Sequence, residues 1–255
     1  MNSQTNDLDP LEAASTILKA AQDDRVTLRL IGGLAVRFHC HGQHSNHLRT
    51  YNDIDLFGLA KERRQIFSVF RKLHYSPNDI YNTMFGRTRL QFIDPKTGRD
   101  VDVFLDQFRM DHTLDFRERM KLDPLTIPVT DLLLTKLQIV KLNAKDAKDI
   151  VALLEDHEVG YADSREMLNA NRIADVSARN WGLYTTLNRN IGIIMKLVES
   201  EEFSPLEKGD LTEKMRRIRD RIETQKKTCA WKLRNLLGER VAWYNEAEVG
   251  EGETQ

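Results

Sequence analysis

The hydrophobic pattern of the chain changes period near residue 125, and that change constrains its architecture more than any other feature. Before it, short β-rich runs alternate with stretches of helical spacing; after it, the character is almost purely helical. The pattern predicts an α+β domain over 1–125, a helical domain over 126–245 and an acidic, disordered tail over 246–255. Asp9-Pro10 ahead of Leu11, Ala14, Ile17, Leu18 and Ala21 reads as a capped helix start. Val26–Ile31 and Ile54–Phe57 read as strands, Leu34–Phe38 and Glu62–Leu73 as helices. Thr88–Ile93 and Asp100–Leu105 flank the turn signal Asp94-Pro95-Lys96-Thr97-Gly98 and predict an antiparallel pair. Farther on, Thr130 is expected to cap a helix over Asp131–Leu142. Helices are also expected over Ala147–Leu154, near 164–178 and over 180–199. Ser204-Pro205 opens a last helix, expected to run unbroken through Leu211, Met215, Ile218, Ile222, Cys229, Leu233 and Leu236.

Composition excludes some classes. The 38 basic and 39 acidic side chains leave a net charge of −1, which argues against a general nucleic-acid coat protein. The longest stretch free of Asp, Glu, Lys and Arg is Phe38–Leu48, far short of the roughly 20 apolar residues a membrane span needs. Met1–Pro10 carries Asp7 and Asp9 and no basic residue, so no signal peptide is expected. Cys40 and Cys229 form no disulfide framework, and a cytoplasmic location is the expectation.

Three features of the α+β part carry chemistry. Gly32-Gly33 lies between a strand and a helix start, where glycine lets backbone approach a ligand closely and a helix N-terminus attracts phosphate. Neither the P-loop nor the dinucleotide fingerprint is present. In Asn52-Asp53-Ile54-Asp55-Leu56-Phe57, the two carboxylates stand two apart and face the same way on a strand, which suits Mg²⁺. In Arg99-Asp100-Val101-Asp102-Val103-Phe104, Asp102 can complete a three-carboxylate cluster if this strand lies beside the first. Asp100 has the same facing and competes for that role; Asp102 is preferred because Val101 and Val103 place it deeper in the strand.

Gly32-Gly33, then Asp53-Ile54-Asp55, then a hydrophobic-Asp-hydrophobic strand resembles the nucleotidyltransferase superfamily typified by DNA polymerase β. The likeness is closest to its AbiEii-type bacterial toxin branch. There Arg49-Thr50-Tyr51-Asn52-Asp53-Ile54-Asp55, Leu132-Leu133-Leu134-Thr135-Lys136-Leu137 and Lys148-Asp149-Ile150 resemble family segments, with Tyr51 standing where the pattern prefers Thr. The likeness spans roughly residues 26–155. It implies a polymerase β-like domain with a mixed sheet. It also implies Mg²⁺-dependent transfer of an NMP from an NTP such as ATP to an acceptor hydroxyl, with release of pyrophosphate. Gly32, Gly33 and Lys136 would contact the nucleotide. Asp53, Asp55 and Asp102 would hold two Mg²⁺ ions, with Asp102 also serving as general base. The acceptor would be a tRNA or a protein, and a toxin–antitoxin role with an antitoxin partner follows from the branch. Two other readings stay open: a non-catalytic scaffold of the same fold, binding RNA or a protein through its basic C-terminal helix, and a metal-dependent glycosyltransferase using the Asp-x-Asp pair.

Two further signals are compositional. His39, His41, His44 and His47 sit near Cys40, but their spacing fits no standard zinc pattern, and a loop over the substrate mouth is the expectation. From Lys214 to Arg234 nine Lys/Arg face only Asp220 and Glu223, which makes that helix locally basic.

Overall fold

The computed structural model of the chain describes residues 9–40, 51–200 and 203–245; the expected acidic tail lies outside them. The chain forms two compact units. Among the described residues, the first comprises 9–40, 51–108 and 115–128, and the second 109–114 and 129–245. No helix of the described residues is long and apolar enough to cross a membrane.

The first unit opens with α1 (Pro10–Asp23), whose start is fixed by Asp9: its side chain accepts the Leu11 N–H at 2.8 Å, with Pro10 at the first helical position. β1 (Leu28–Ile31) runs directly into α2 (Gly32–His39), and β2 (Ile54–Gly58) leads to α3 (Arg63–Lys72). β3 (Ser76–Pro77), α4 (Asp79–Phe85), β4 (Arg89–Ile93) and β5 (Asp100–Leu105) follow. The five strands make one sheet in the order β1-β2-β5-β4-β3. β2 and β5 are parallel and every other pairing is antiparallel, so the sheet is mixed and the unit is α+β. β4 and β5 pair antiparallel around the turn expected at Asp94–Gly98, where Gly98 takes φ +73°. The free edge of β1 is closed by a nearby segment: the Leu30 N–H donates to Leu125 O at 2.7 Å, and the Ile127 N–H to Leu30 O at 3.0 Å.

Strand alternation sorts the sheet's side chains into two sets. Ile54, Leu56, Leu90, Phe92, Val101 and Val103 form a fully buried apolar set, against which α3 lays Phe70, stacked on Phe92 at 3.9 Å between ring centroids. Each such side chain contributes roughly 1.5–3 kcal/mol of burial. The opposite set carries Asp55 on β2, Asp102 on β5, and Arg89 and Gln91 on β4.

At the passage between the units in sequence stand two short strands, β6 (Gln107–Arg109) and β7 (Thr113–Asp115). The second unit then runs α5 (Val129–Leu137), α6 (Ala144–Asp156), β8 (Glu158–Gly160), β9 (Met167–Asn169), α7 (Ala170–Ser177), α8 (Trp181–Ser200), α9 (Pro205–Thr224) and α10 (Cys229–Leu237). Three expectations change here. The helix expected over Asp131–Leu142 begins at Val129 and ends at Leu137; Thr130 is buried inside it, and its hydroxyl accepts the Asn169 N–H at 2.8 Å instead of capping. The region is not purely helical, because β8 and β9 pair in parallel; strands of three residues are too short for an alternation to show. The last helix is two. It stops after Thr224 with Gln225 extended (ψ 130°), and Thr228 caps a new helix by accepting the Trp231 N–H at 3.2 Å. Leu211, Met215, Ile218 and Ile222 of α9 are buried, whereas no residue of α10 is fully buried, and Leu233 and Leu236 are 67% and 77% exposed.

Candidate functional site

The site is built where β1 turns into α2 beside the ends of β2 and β5. The antiparallel register sets Ile31 opposite Asp55, so the residue after Ile31 is held above that side chain. Gly32 takes φ +71°, a conformation that L side chains rarely adopt, and a Cβ built there would lie 2.2 Å from Asp55 Oδ2. Glycine is therefore demanded twice, by backbone geometry and by the carboxylate. α2 begins at this turn with Ile31 as its N-cap and no side chain capping its first-turn N–H groups. Such groups are suited to an anion.

Parallel pairing of β2 with β5 sets Asp55 directly opposite Asp102. Parity within each strand then puts both carboxylates on one side of the sheet. Asp102 is buried at 9% exposure, Asp55 is half-buried, and Asp53 is exposed one residue ahead of β2. Asp100 is exposed at the first position of β5, opposite Ile93 of β4. Partial burial raises its carboxyl above the ordinary range, and the charges of Asp102 and Asp53 add to the rise. Asp53, Asp55, Asp100 and Asp102 therefore lie at or just before the aligned starts of β2 and β5, with Asp102 the more buried of the two on β5.

A cation already stands among them. Arg89 of β4 donates from Nε to Asp102 Oδ1 at 3.1 Å and from an Nη to Oδ2 at 2.7 Å, a bidentate fork. Its guanidinium also lies 4.6 Å from the Phe104 ring centroid and 6.0 Å from that of Tyr81. Burial by itself lowers the Arg89 pKa, but the hydrogen bonds and charge of Asp102, with Tyr81 and Asp55 adding, more than offset it. In the sequence Arg89 is only an arginine near the start of an expected strand; the pairing depends on β4 and β5 being neighbours.

The donor set fits a hard divalent cation in its chemistry, since all the candidate ligands are carboxylate oxygens, with that of Asp55 held close against the Gly32 backbone. It is not a closed cage: among the described residues no three Asp, Glu, His or Cys side chains converge as a ready ligand set. Asp102 is turned onto Arg89 instead.

Lys136 belongs to the second unit. It lies on α5, a helix whose nine residues are all buried, and its ammonium pairs with Asp146 Oδ1 at 2.9 Å and Asp149 Oδ2 at 2.8 Å, both on α6. Burial alone would lower its pKa; the two carboxylates, Asp149 foremost, outweigh that and raise it. Asp149, which the resemblance also picks out, is thus one arm of a buried ion triad. His39 bonds through Nε2 to the Thr126 hydroxyl at 2.7 Å, while His41, His44 and His47 lie outside the described residues. In the basic stretch, Lys214 is buried against Glu158, Asp210 and the Leu154 carbonyl, and Arg216 pairs with Glu213 and Asp220. Arg219, Arg221 and Arg234 bond to Asn188, Asn171 and Gly238. Much of that positive charge is therefore engaged within the protein.

Compared with known proteins, the chain matches no family model, and no curated protein matches it significantly.

Proposed function

We propose that the first unit is a nucleotidyltransferase domain of the polymerase β type, moving an NMP from an NTP to an acceptor hydroxyl with loss of pyrophosphate. The observation that carries the reading is the register of β2 and β5, which aligns Asp55 with Asp102 beneath the Gly32 turn. Asp53, Asp55 and Asp102 would hold Mg²⁺, which when bound neutralises charge on the phosphates and leaving group. Gly32, Gly33 and the uncapped start of α2 would receive phosphate oxygens through backbone N–H groups. Asp102 would accept the proton of the attacking hydroxyl once its oxygens are released from Arg89. Lys136, with both of its carboxylate partners in place, would act by holding α5 to α6 unless a nucleotide displaces one of them. A tRNA or protein acceptor, an antitoxin partner and a cytoplasmic toxin role belong to this reading through the family resemblance alone.

The test is transfer of label from each α-³²P-NTP in Mg²⁺, with total RNA or protein as acceptor. Labelled product from the wild type and none from Asp55→Ala or Asp102→Ala, with circular dichroism unchanged, supports the proposal; undiminished transfer by either variant overturns it.

One observation favours a second reading, a non-catalytic scaffold of the same fold. Arg89 occupies both oxygens of Asp102, as a permanent replacement for a metal would. Calorimetric titration with ATP separates the two: Mg²⁺-dependent binding supports the enzyme, and its absence the scaffold.

A further inference from the structure

The Arg89–Asp102 pair differs in kind from an incidental surface bridge. Both donors and both acceptor oxygens are used, the carboxylate is buried, and the guanidinium is braced by Phe104 and Tyr81. Arginine keeps its proton throughout the working pH range, so acidity or alkalinity near neutral cannot dissolve the pair. Asp55 stands directly opposite Asp102, and Asp53 and Asp100 lie two residues before them in the chain. A cluster of this kind needs a cation, and Arg89 supplies one from within the chain.

We propose that Arg89 is a built-in counter-cation that competes with a divalent metal for Asp102: the metal-binding form of the site is reached only by exchanging the guanidinium for the ion. This rests on the reading that Asp55 and Asp102 are metal ligands. The pair stabilises the metal-free protein, where two aligned carboxylates would otherwise repel, and it lowers metal affinity by the free energy needed to break the fork. Phe104 and Tyr81 give the released guanidinium a surface to remain against, so that it moves aside without entering bulk water. Arg89 is thus a positioning residue that sets the order of events: the third carboxylate is shielded until the metal arrives.

The experiment uses the full chain and Mn²⁺ alone, with no nucleotide, reading the dissociation constant from the free-Mn²⁺ electron paramagnetic resonance signal and, separately, the rise in Tm that Mn²⁺ produces. Arg89→Gln should bind Mn²⁺ about tenfold more tightly than wild type, on the scale of one charge-assisted pair. It should melt lower without metal and gain a larger Mn²⁺-induced rise in Tm, while Asp55→Asn should abolish binding in both backgrounds. A merely structural Arg89 would lower Tm and leave Mn²⁺ affinity unchanged. If wild type binds Mn²⁺ through Asp55 while Arg89→Gln binds equally or more weakly, the exchange is wrong and the metal-site reading survives. If neither protein shows Asp55-dependent binding, both fall. Should Arg89→Gln not fold, Arg89→Lys, which keeps the charge and loses the fork, should tighten binding about two- to threefold; no tightening in it overturns the exchange.

Discussion

The carboxylate of Asp55 occupies the space in which a side chain at residue 32 would begin, since a Cβ built on Gly32 lies 2.2 Å from its Oδ2. Gly32→Ala therefore has to move Asp55 as well as hold alanine at φ +71°. The expected cost is on the order of 1–3 kcal/mol of stability, together with loss of Mn²⁺ or nucleotide binding. Gly98→Ala is the matched control, because Gly98 has φ +73° and nothing within 4 Å of an added Cβ. It should lose about 1–2 kcal/mol and keep ligand binding. Urea unfolding and Mn²⁺ titration of the two variants measure both effects; equal loss of binding in the two would refute the link between Gly32 and Asp55.

Asp100 and Asp102 are expected to separate on mutation. The Asp100 carboxyl is raised by burial, then by Asp102 and Asp53. An acid whose folded pKa is raised weakens the fold at pH values where it is ionised, and the penalty fades as pH falls and it takes up its proton. Asp100→Asn should thus raise Tm slightly at pH 7, with the gain shrinking toward pH 4, and should leave transfer intact. Asp102→Asn should lower Tm by leaving Arg89 without its carboxylate, and should abolish transfer. Melting curves at the two pH values and the labelled-NTP assay check this.

Lys136 is predicted to matter for stability far more than a leucine-rich helix surface would suggest. Lys136→Met leaves Asp146 and Asp149 without their shared cation, Asp149 being wholly buried. Removing one partner of a buried ion group typically costs about 3–5 kcal/mol. The triple variant Lys136→Met with Asp146→Asn and Asp149→Asn should recover most of it. Chemical denaturation of the single and triple variants provides the measurement, and a single variant as stable as wild type would contradict the triad's role.

His112 makes the second unit sensitive to acid. It is 3% exposed, its Nε2 meets the Thr186 hydroxyl at 2.7 Å, and its backbone N–H donates to Gln138 Oε1 at 2.8 Å. Burial lowers its pKa from 6.5 to about 4. The unfolded chain therefore takes up a proton across that interval while the folded chain does not, so stability rises with pH between about 4 and 6.5 and is fully present above it. His157, also lowered chiefly by burial, acts in the same direction. The His112 share is on the order of 3 kcal/mol. Comparing urea midpoints at pH 5 and pH 7 for wild type and His112→Gln should show a smaller pH difference in the variant.

What the sequence discloses depends on how local the physics is. The start of α1 is legible because Asp9 caps and Pro10 preorganises within three residues of one another. The β4–β5 hairpin is legible because the turn chemistry of Asp94–Gly98 separates two β-rich runs. Alternation gives the facing of Asp55 and Asp102 within each strand, but not that the strands are neighbours or in which register. Arg89 was hidden for that reason: its partner is defined only once β4 lies beside β5. Lys136 left a fainter trace. Its helix is rich in leucine, and Asp146 and Asp149 stand three apart on the next one. The break before α10 was masked because Cys229, Leu233 and Leu236 continue the apolar spacing of α9, although Thr228 is an adequate cap signal.

The parallel alignment of β2 with β5 has a consequence for assembly. Parallel strands cannot be joined by a tight turn, and the segment with α3, α4 and β4 supplies the long connection between these two. A slip of one residue would send the Asp102 side chain to the other surface and dismantle the acidic pair while leaving most backbone bonds satisfiable. The acidic pair is therefore specific to the native threading, because no other register sets Asp55 directly opposite Asp102.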